Sequence, residues 1–411
     1  MVNRFPGLLD RFVLYASIGT QSDRSLAARR TPSTDCQWEL IRLLERECGE
    51  LGLEAAVDGR GFLVARLGSN LPEGRVPCIA FMAHVDTASD VPGGVVRPLV
   101  HKNYGGGRIA LDGVGIDPAE NPSLLRYLGD TIVSSDGTSL LGADDKAGIA
   151  AIMSAAAYLL AHPEVPHGEL EFIFTPDEET GMGMDHFPLE RIRCAAAYTL
   201  DGDGEGTVES ECFNAWKVEA RFLGRAIHIG HARGKLANAV AMAARFVDML
   251  PSAESPEATD GGFGYYCAMD IKGTLEEAVV EVFLRDFSEE EISRRRETLR
   301  VFACAVERAF PGGRVLLREE EQYRNMKGAF QKDPRILAYL DRAVRETGIE
   351  PVHKSIRGGT DGARLSGMGI PTPNIFMGGE NFHSRTEWVS LSAMARAAQT
   401  VVNLARIWAG G

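Results

Sequence analysis

Hydrophobic positions along the chain switch between helical and strand-like spacing, and the switches mark out the elements. Within residues 33–51, Leu40, Leu43, Leu44 and Leu51 share one helical stripe, with Ser33, Thr34 and Asp35 as candidate caps. Residues 61–67 read as a short strand, and residues 76–83 as an apolar run of the kind buried on both sheet faces. Residues 148–161 are alanine-rich, with Ile149, Ile152, Met153, Ala156, Leu159 and Leu160 at helical spacing, which predicts a buried helix. Two more apolar strands follow at 169–175 and 195–200. Residues 90–139, rich in Gly and Pro, show no clean geometry.

The pattern changes after about residue 210. Residues 216–222 alternate as a strand with one solvated face does. A helix at 235–250, strands at 268–272 and 278–286, a helix from Ser288 with Glu291 completing a capping box, and a strand from Arg314 complete a β-α-β-β-α-β series. That series predicts a ferredoxin-like domain at 213–323, inserted into a first domain made of 1–212 and 324–411. In the returning segment, Asp333 and Pro334 open a helix that Gly348 closes, and residues 373–377 form a last apolar strand.

A chain of 411 residues exceeds what one core usually organises, in keeping with two domains. The net charge of −13 argues against nucleic acid or an anionic membrane as partner and suits a cation site. Seven scattered cysteines without a Cys-x-x-Cys pair are expected as free buried thiols in a reducing cytoplasm. No apolar leader or run of 18 apolar residues is present, so neither secretion by a standard signal nor a membrane span is expected.

The candidate chemistry gathers at strand ends. His84, Asp144, Glu179, Asp201 and His383 each follow an apolar strand or strand-like run, and in open α/β sheets that edge binds ligands. Each has a plain alternative: a satisfied histidine, an acidic turn at Glu178-Glu179, an aspartate before glycine at Asp201, an N-cap at Asp144-Asp145. A cap needs only one aspartate, and Lys146 in the first turn opposes the helix dipole. Together the five fit two divalent cations. With Asp144 bridging, each cation receives one histidine and one further carboxylate, and the carboxylates with a bridging hydroxide balance the charge. Imidazole and carboxylate without thiolate point to two zinc ions, with cobalt or manganese as substitutes. Asp86 then orients His84, and Glu178 is the candidate general base for the bridging water.

His84-Val-Asp86-Thr-Ala, the run from Leu140 to Gly148, Thr175-Pro-Asp-Glu-Glu, Tyr198-Thr-Leu-Asp201-Gly and Arg357-Gly-Gly-Thr-Asp361-Gly closely resemble the peptidase T group of tripeptide aminopeptidases, among the di-zinc exopeptidases related to aminoacylases. The resemblance covers nearly the whole chain. It implies an α/β zinc-exopeptidase domain with helices on both sides of a mixed sheet, and a ferredoxin-like lid that also forms a homodimer. The implied activity is release of the N-terminal residue from tripeptides in the cytoplasm. Carried over by motif, His84, Asp144, Glu179, Asp201 and His383 are metal ligands, and Asp86 and Glu178 the catalytic pair. The resemblance also implies that Arg357 receives the substrate carboxylate, and that His228 reaches across the dimer to the scissile carbonyl, with Asn238 nearby as a further substrate-binding residue. Ile229, His231 and Arg233 replace the Pro, Thr and Lys of the group's lid stretch, so substrate preference is expected to differ. The alternatives are a dipeptidase, carboxypeptidase or N-acyl deacylase with the same metals, or a non-catalytic binding protein of the same fold.

Overall fold

In the computed structural model, which describes residues 1–72, 76–92 and 94–410, the apolar run before His84 forms the strand Ile79–His84, buried along its whole length. The pleat sends alternate side chains to opposite faces, and both are dry. Ala80 and Met82 join Phe62, Ile173, Ala197 and Leu365 in one cluster, while Phe81 stacks with Phe172 and Tyr198. The Tyr198 hydroxyl donates to Ile336 O and accepts from Trp408 Nε1, so the one polar group of that stack is satisfied.

This strand lies at the middle of an eight-stranded mixed sheet. In spatial order the strands are Glu54–Val57, Leu63–Leu67, Leu170–Thr175, Ile79–His84, Ala196–Gly202, Asn374–Phe376, Thr207–Cys212 and Val352–Ile356. Leu170–Thr175 and Ala196–Gly202 flank the central strand in parallel. Leu63–Leu67 and Thr207–Cys212 pair antiparallel with their inner neighbours.

The helix Ala143–Ala161 is buried for nearly all its length and packs against the helices Leu8–Ser17 and Leu391–Gly410 and the central strands. It comes close enough that a Cβ on Gly148 would lie 2.2 Å from Asp145 Oδ1 and 2.4 Å from Leu200 O. Glycine alone permits that approach. Its start differs from the sequence expectation in two ways. Residues 140–141 are not strand, and neither Asp144 nor Asp145 caps the helix. The carboxylate of Glu387 accepts from the N–H groups of Leu141, Gly142 and Asp144 instead, which occupies the amides a strand neighbour would need and leaves both aspartates free of capping. The helix at Gln37–Leu51 also lacks its expected caps, because Ser33 donates to Asp177 through both its N–H and its hydroxyl.

Residues 90–139 supply much of a second, smaller sheet, ordered Gly379–Glu380, Trp388–Ser390, Ile132–Ser134 and Leu99–His101. Its hairpin at 379–390 carries His383 and Glu387 in the connecting loop. The same excursion braces that loop, since Asn381 Nδ2 donates to Asn121 Oδ1 at 2.6 Å.

The chain divides into two compact units, the first made of Met1–Ser210, Met326–Lys354 and Thr360–Gly411, the second of Glu211–Asn325 with Ser355–Gly359. The second unit holds the strands Tyr265–Gly273, Glu277–Asp286, Asn214–Leu223 and Arg314–Tyr323 in that spatial order, every pairing antiparallel. The helices Ala239–Asp248 and Glu289–Ala309 share one core with this sheet, and Ser288 caps the latter as its capping-box pattern predicts. Residues 355–359, expected in the first domain, group with the second because Phe213 N bonds Ile356 O at 3.2 Å and Gly359 lies flat against Tyr323, where a Cβ would approach Cζ to 2.4 Å. All seven cysteines are free, but Cys36 and Cys304 are exposed and only Cys48, Cys194 and Cys212 are buried, a correction to the expectation of buried thiols. Among the described residues no helix is long and apolar enough to cross a membrane.

Candidate metal centre

Three parallel strands deliver the first groups. His84 ends its strand, Asp201 lies at the end of Ala196–Gly202, and Glu178 and Glu179 follow Leu170–Thr175 in a short turn. Asp144 comes from the opening turn of the helix, as expected, but without a strand before it, and His383 comes from the small-sheet hairpin rather than directly after the strand Asn374–Phe376. His383 takes a left-handed backbone, φ 57°, to reach inward.

Asp144 stands between two pairs. His84 Nε2 lies 2.9 Å from Asp144 Oδ1 and 3.5 Å from Asp201 Oδ1. His383 Nε2 lies 3.3 Å from Asp144 Oδ2 and 3.1 Å from Glu179 Oε2. Ligand atoms about 2.0–2.1 Å from a tetrahedral ion are about 3.3 Å apart, so both spacings fit a cation apiece with Asp144 shared. Glu179 Oε1 is buried with no hydrogen-bond partner, an uncompensated acceptor that a cation would satisfy.

Asp86 organises this group from behind. Its carboxylate accepts from Glu178 N at 2.9 Å and Glu179 N at 3.2 Å, and it lies 3.4 Å from His84 Nδ1, which also points at Asp86 O at 3.1 Å. One buried aspartate thus aims a histidine and the whole Glu178-Glu179 turn. Asp177, at φ 61°, is anchored in its turn by Ser33 and by Gln37 Nε2. The turn is held and partly buried, so the reading of a solvated acidic turn does not describe it.

The electrostatics follow from crowding carboxylates out of water. Burial disfavours ionised Asp144, but hydrogen bonds from His383 and His84 outweigh it and hold its carboxyl far below the usual range. The hydrogen bonds to Asp144 and Glu179 push His383 up to about 11. Burial, reinforced by Asp144, lifts Glu179 to about 7, and burial likewise lifts Asp201 to about 7. Glu178 is raised well above an ordinary glutamate by burial and by the carboxylate of Asp201. The set carries more negative charge than its two imidazoles can offset, which is the electrostatic signature of a cation site.

Comparison with known proteins gives this geometry a family. Residues 141–407 match the model of peptidase family M20/M25/M40. Peptidase T of Clostridium perfringens strain 13 is 42% identical over 402 residues, covering 97% of this chain and 98% of that protein. Peptidase T of Geobacillus kaustophilus is 40% identical over 405 residues, 98% of each chain. The chain belongs to peptidase family M20/M25/M40. It is accordingly a hydrolase of peptide bonds. In fold it is similar to the aminopeptidase PepT of Bacillus cereus, with a TM-score of 0.75 at 24% identity over 100% of this chain and 99% of that one. It is also similar to a dinuclear metal binding peptidase of the M20 family from Bacillus subtilis, with a TM-score of 0.66 at 16% identity over 99% of both.

Several members of the centre were not singled out from the sequence. Asp145 Oδ2 accepts from His84 N at 3.2 Å, and Asp145 with His84 and Asp201 forms a group able to hold a cation, as do His84, Asp144 and Glu179. Asp90 Oδ2 lies 3.2 Å from His383 Nδ1, the counterpart of Asp86 at His84. Asp361 is buried, and burial lifts its carboxyl to about 6. Lys146, in the first turn where its charge opposes the helix dipole, is fully buried and donates to Ile18 O at 2.6 Å. Only the doubled aspartate and the Arg357–Asp361 motif carried a sequence signal for any of these.

The remaining candidates lie in the second unit. His228 is exposed, and its Nδ1 accepts from Gly230 N at 3.2 Å, which leaves the proton on Nε2 in the neutral ring. Asn238 caps the helix Ala239–Asp248 through Oδ1, so only its NH₂ group is left to donate elsewhere. Arg357 is half-buried beside Phe213 and Tyr265.

Proposed function

We propose that this peptidase is a two-metal aminopeptidase that releases the N-terminal residue of tripeptides. The reading is carried by one observation: Asp144 presents its two oxygens to two separate histidine–carboxylate pairs, His84 with Asp201 and His383 with Glu179. Those five residues would hold two divalent cations, for which imidazole and carboxylate donors favour zinc, with cobalt or manganese as substitutes. Such a pair supplies a Lewis acid for the scissile carbonyl and makes water acidic enough to attack near neutral pH.

The protein's own groups do the rest. Glu178, aimed by the bond from its N–H to Asp86, takes a proton from the attacking water and returns it to the leaving amine. Asp86 keeps His84 oriented and the Glu178-Glu179 turn in place. His228, with its proton on Nε2, donates to the developing oxyanion, and in this reading it does so from a second copy of the chain in a homodimer. Asn238 offers its NH₂ group to the substrate backbone. Arg357 receives the C-terminal carboxylate, for which a guanidinium gives a paired contact.

Short peptides bearing both a free amine and a free carboxylate are therefore the substrates. The name peptidase T of relatives 40–42% identical over nearly the whole chain supports this choice. Measuring metal content together with hydrolysis of free and N-acetylated tripeptides tests it. Two equivalents of metal and cleavage of the free peptides alone are expected. Equal cleavage of acetylated peptides would point instead to a deacylase or carboxypeptidase using the same centre.

A further inference from the structure

The guanidinium of Arg357 is already engaged within its own unit. Nη1 donates to Thr259 O at 2.5 Å, and Nη2 donates to Thr259 Oγ1 at 2.8 Å and to Phe263 O at 3.1 Å. Thr259 Oγ1 in turn donates to Ser255 O at 2.9 Å, so this hydroxyl is used in both directions. Phe213 and Tyr265 flank the guanidinium, each ring centroid 5.5 Å from Cζ.

The donor geometry has a consequence for carboxylate binding. A carboxylate gripped by two parallel bonds needs two N–H groups on one edge, either Nη1 with Nη2 or Nε with Nη2. Both N–H groups of Nη2 are committed to the loop, so neither edge offers a free pair. Something must let go before a carboxylate can dock. A cavity of about 580 Å³ lies against the loop, lined among others by Thr259, Phe263, Asp286, Arg294 and Arg295, and leaves space beside it. The Phe263 side chain is 72% exposed.

We propose that residues 255–264 form an internal latch on Arg357 that the C-terminal carboxylate of a peptide displaces, with Thr259 as the positioning residue that sets how strongly a free carboxylate is preferred. The proposal rests on the assignment of Arg357 as carboxylate receptor. A free carboxylate carries the charge needed to compete with two carbonyls and a hydroxyl. A C-terminal amide does not and leaves the latch closed, so opening the latch is a cost borne by the carboxylate alone, and loosening it strengthens the preference for a free carboxylate.

The readout is the ratio of kcat/KM for trialanine to that for trialanine amide. Thr259→Val keeps the shape of the side chain and removes its acceptor, which weakens the latch by about one hydrogen bond to a charged group. The ratio should rise about tenfold, through KM, while Thr259→Ser keeps the parental value. If Arg357→Ala lowers the ratio but Thr259→Val leaves it unchanged, the latch is refuted and the carboxylate role of Arg357 stands. If Arg357→Ala leaves the ratio unchanged, both ideas fall together. An independent measurement uses Phe263→Trp combined with Glu178→Gln to prevent turnover. Trialanine should shift the indole emission and trialanine amide should not. An unchanged emission while calorimetry registers trialanine binding would overturn the latch.

Discussion

Glu178 and Glu179 are neighbours in sequence with separate duties, and single substitutions should part them. Glu178→Gln removes the proton carrier while every proposed ligand stays, so metal content should remain parental and turnover fall by about 10² to 10⁴. Turnover near the parental rate, measured on a metal-loaded sample, would take Glu178 out of the mechanism. Glu179→Gln should show the reverse order of effects. A neutral amide beside His383 is a poor ligand, and because lesser changes around metal ligands already cost about 10–100-fold, one of the two binding steps should weaken by about 100-fold or more. Calorimetry with zinc on the demetallated variant reads this directly, and two parental binding steps would contradict the assignment. The two outcomes depend on one shared support, Asp86, whose carboxylate holds both backbone N–H groups in place.

At the scale of elements, the site depends on how closely the helix Ala143–Ala161 approaches its neighbouring strand. In an exposed helix, replacing glycine by alanine would add about 1 kcal/mol of stability. Gly148→Ala should do the opposite. Its methyl would meet the Leu200 carbonyl and the Asp145 carboxylate, neither of which can move without shifting Asp201 or the start of the helix. A lower Tm together with weaker metal retention is expected, and a higher Tm would show that the helix has room to withdraw. A second element-level effect lies away from the metal ligands, in the strand Thr207–Cys212. Burial lifts Glu209 to about 7, although Asn374 Nδ2 donates to it at 3.0 Å. An unfolded glutamate titrates near about 4.3, so the folded protein binds the extra proton between these values. Stability from this group is therefore present at low pH and is lost as pH rises from about 4.3 through about 7. Glu209→Gln keeps an acceptor for Asn374 and cannot ionise. It should stabilise the protein by about 1–3 kcal/mol at pH 8 and give no gain at pH 4.5, as parallel thermal melts would show.

For the molecule as a whole, the proposed homodimer, with His228 reaching its partner's site, makes a prediction about mixed dimers. If His228 serves its partner, Glu178→Gln and His228→Ala homodimers each lack one part of every site. A mixed dimer has one complete site, formed by the intact Glu178 of one subunit and the intact His228 of the other. Random exchange makes roughly half the dimers mixed, so about a quarter of all sites are restored. Mixing the two variants under conditions where subunit exchange is demonstrated should recover about that fraction of parental activity. Activity that stays at the sum of the two variants would place His228 within its own chain or outside catalysis.

The sequence alone determined what local chemistry can write. Unbroken apolar runs such as 76–83 announce strands buried on both faces, and helical spacing in 148–161 announces the central helix. Ser288 with Glu291 marks a helix start, and long ordered motifs around His84, Asp144, Glu178 and Asp201 point to the family. Only the tertiary structure decided which distant groups meet. Glu387 takes the amides of Leu141, Gly142 and Asp144, where a strand end was expected, from more than 240 positions along the chain. Asp90 meets His383 from a segment whose patterning is silent about it. Residues 355–359 fold with the second unit because Phe213 and Tyr323 give them partners there. The physical reason is the same in each case. Periodicity reports which side of an element is dry, whereas the partner of a buried charge or amide is chosen by whatever the rest of the chain brings within hydrogen-bond reach.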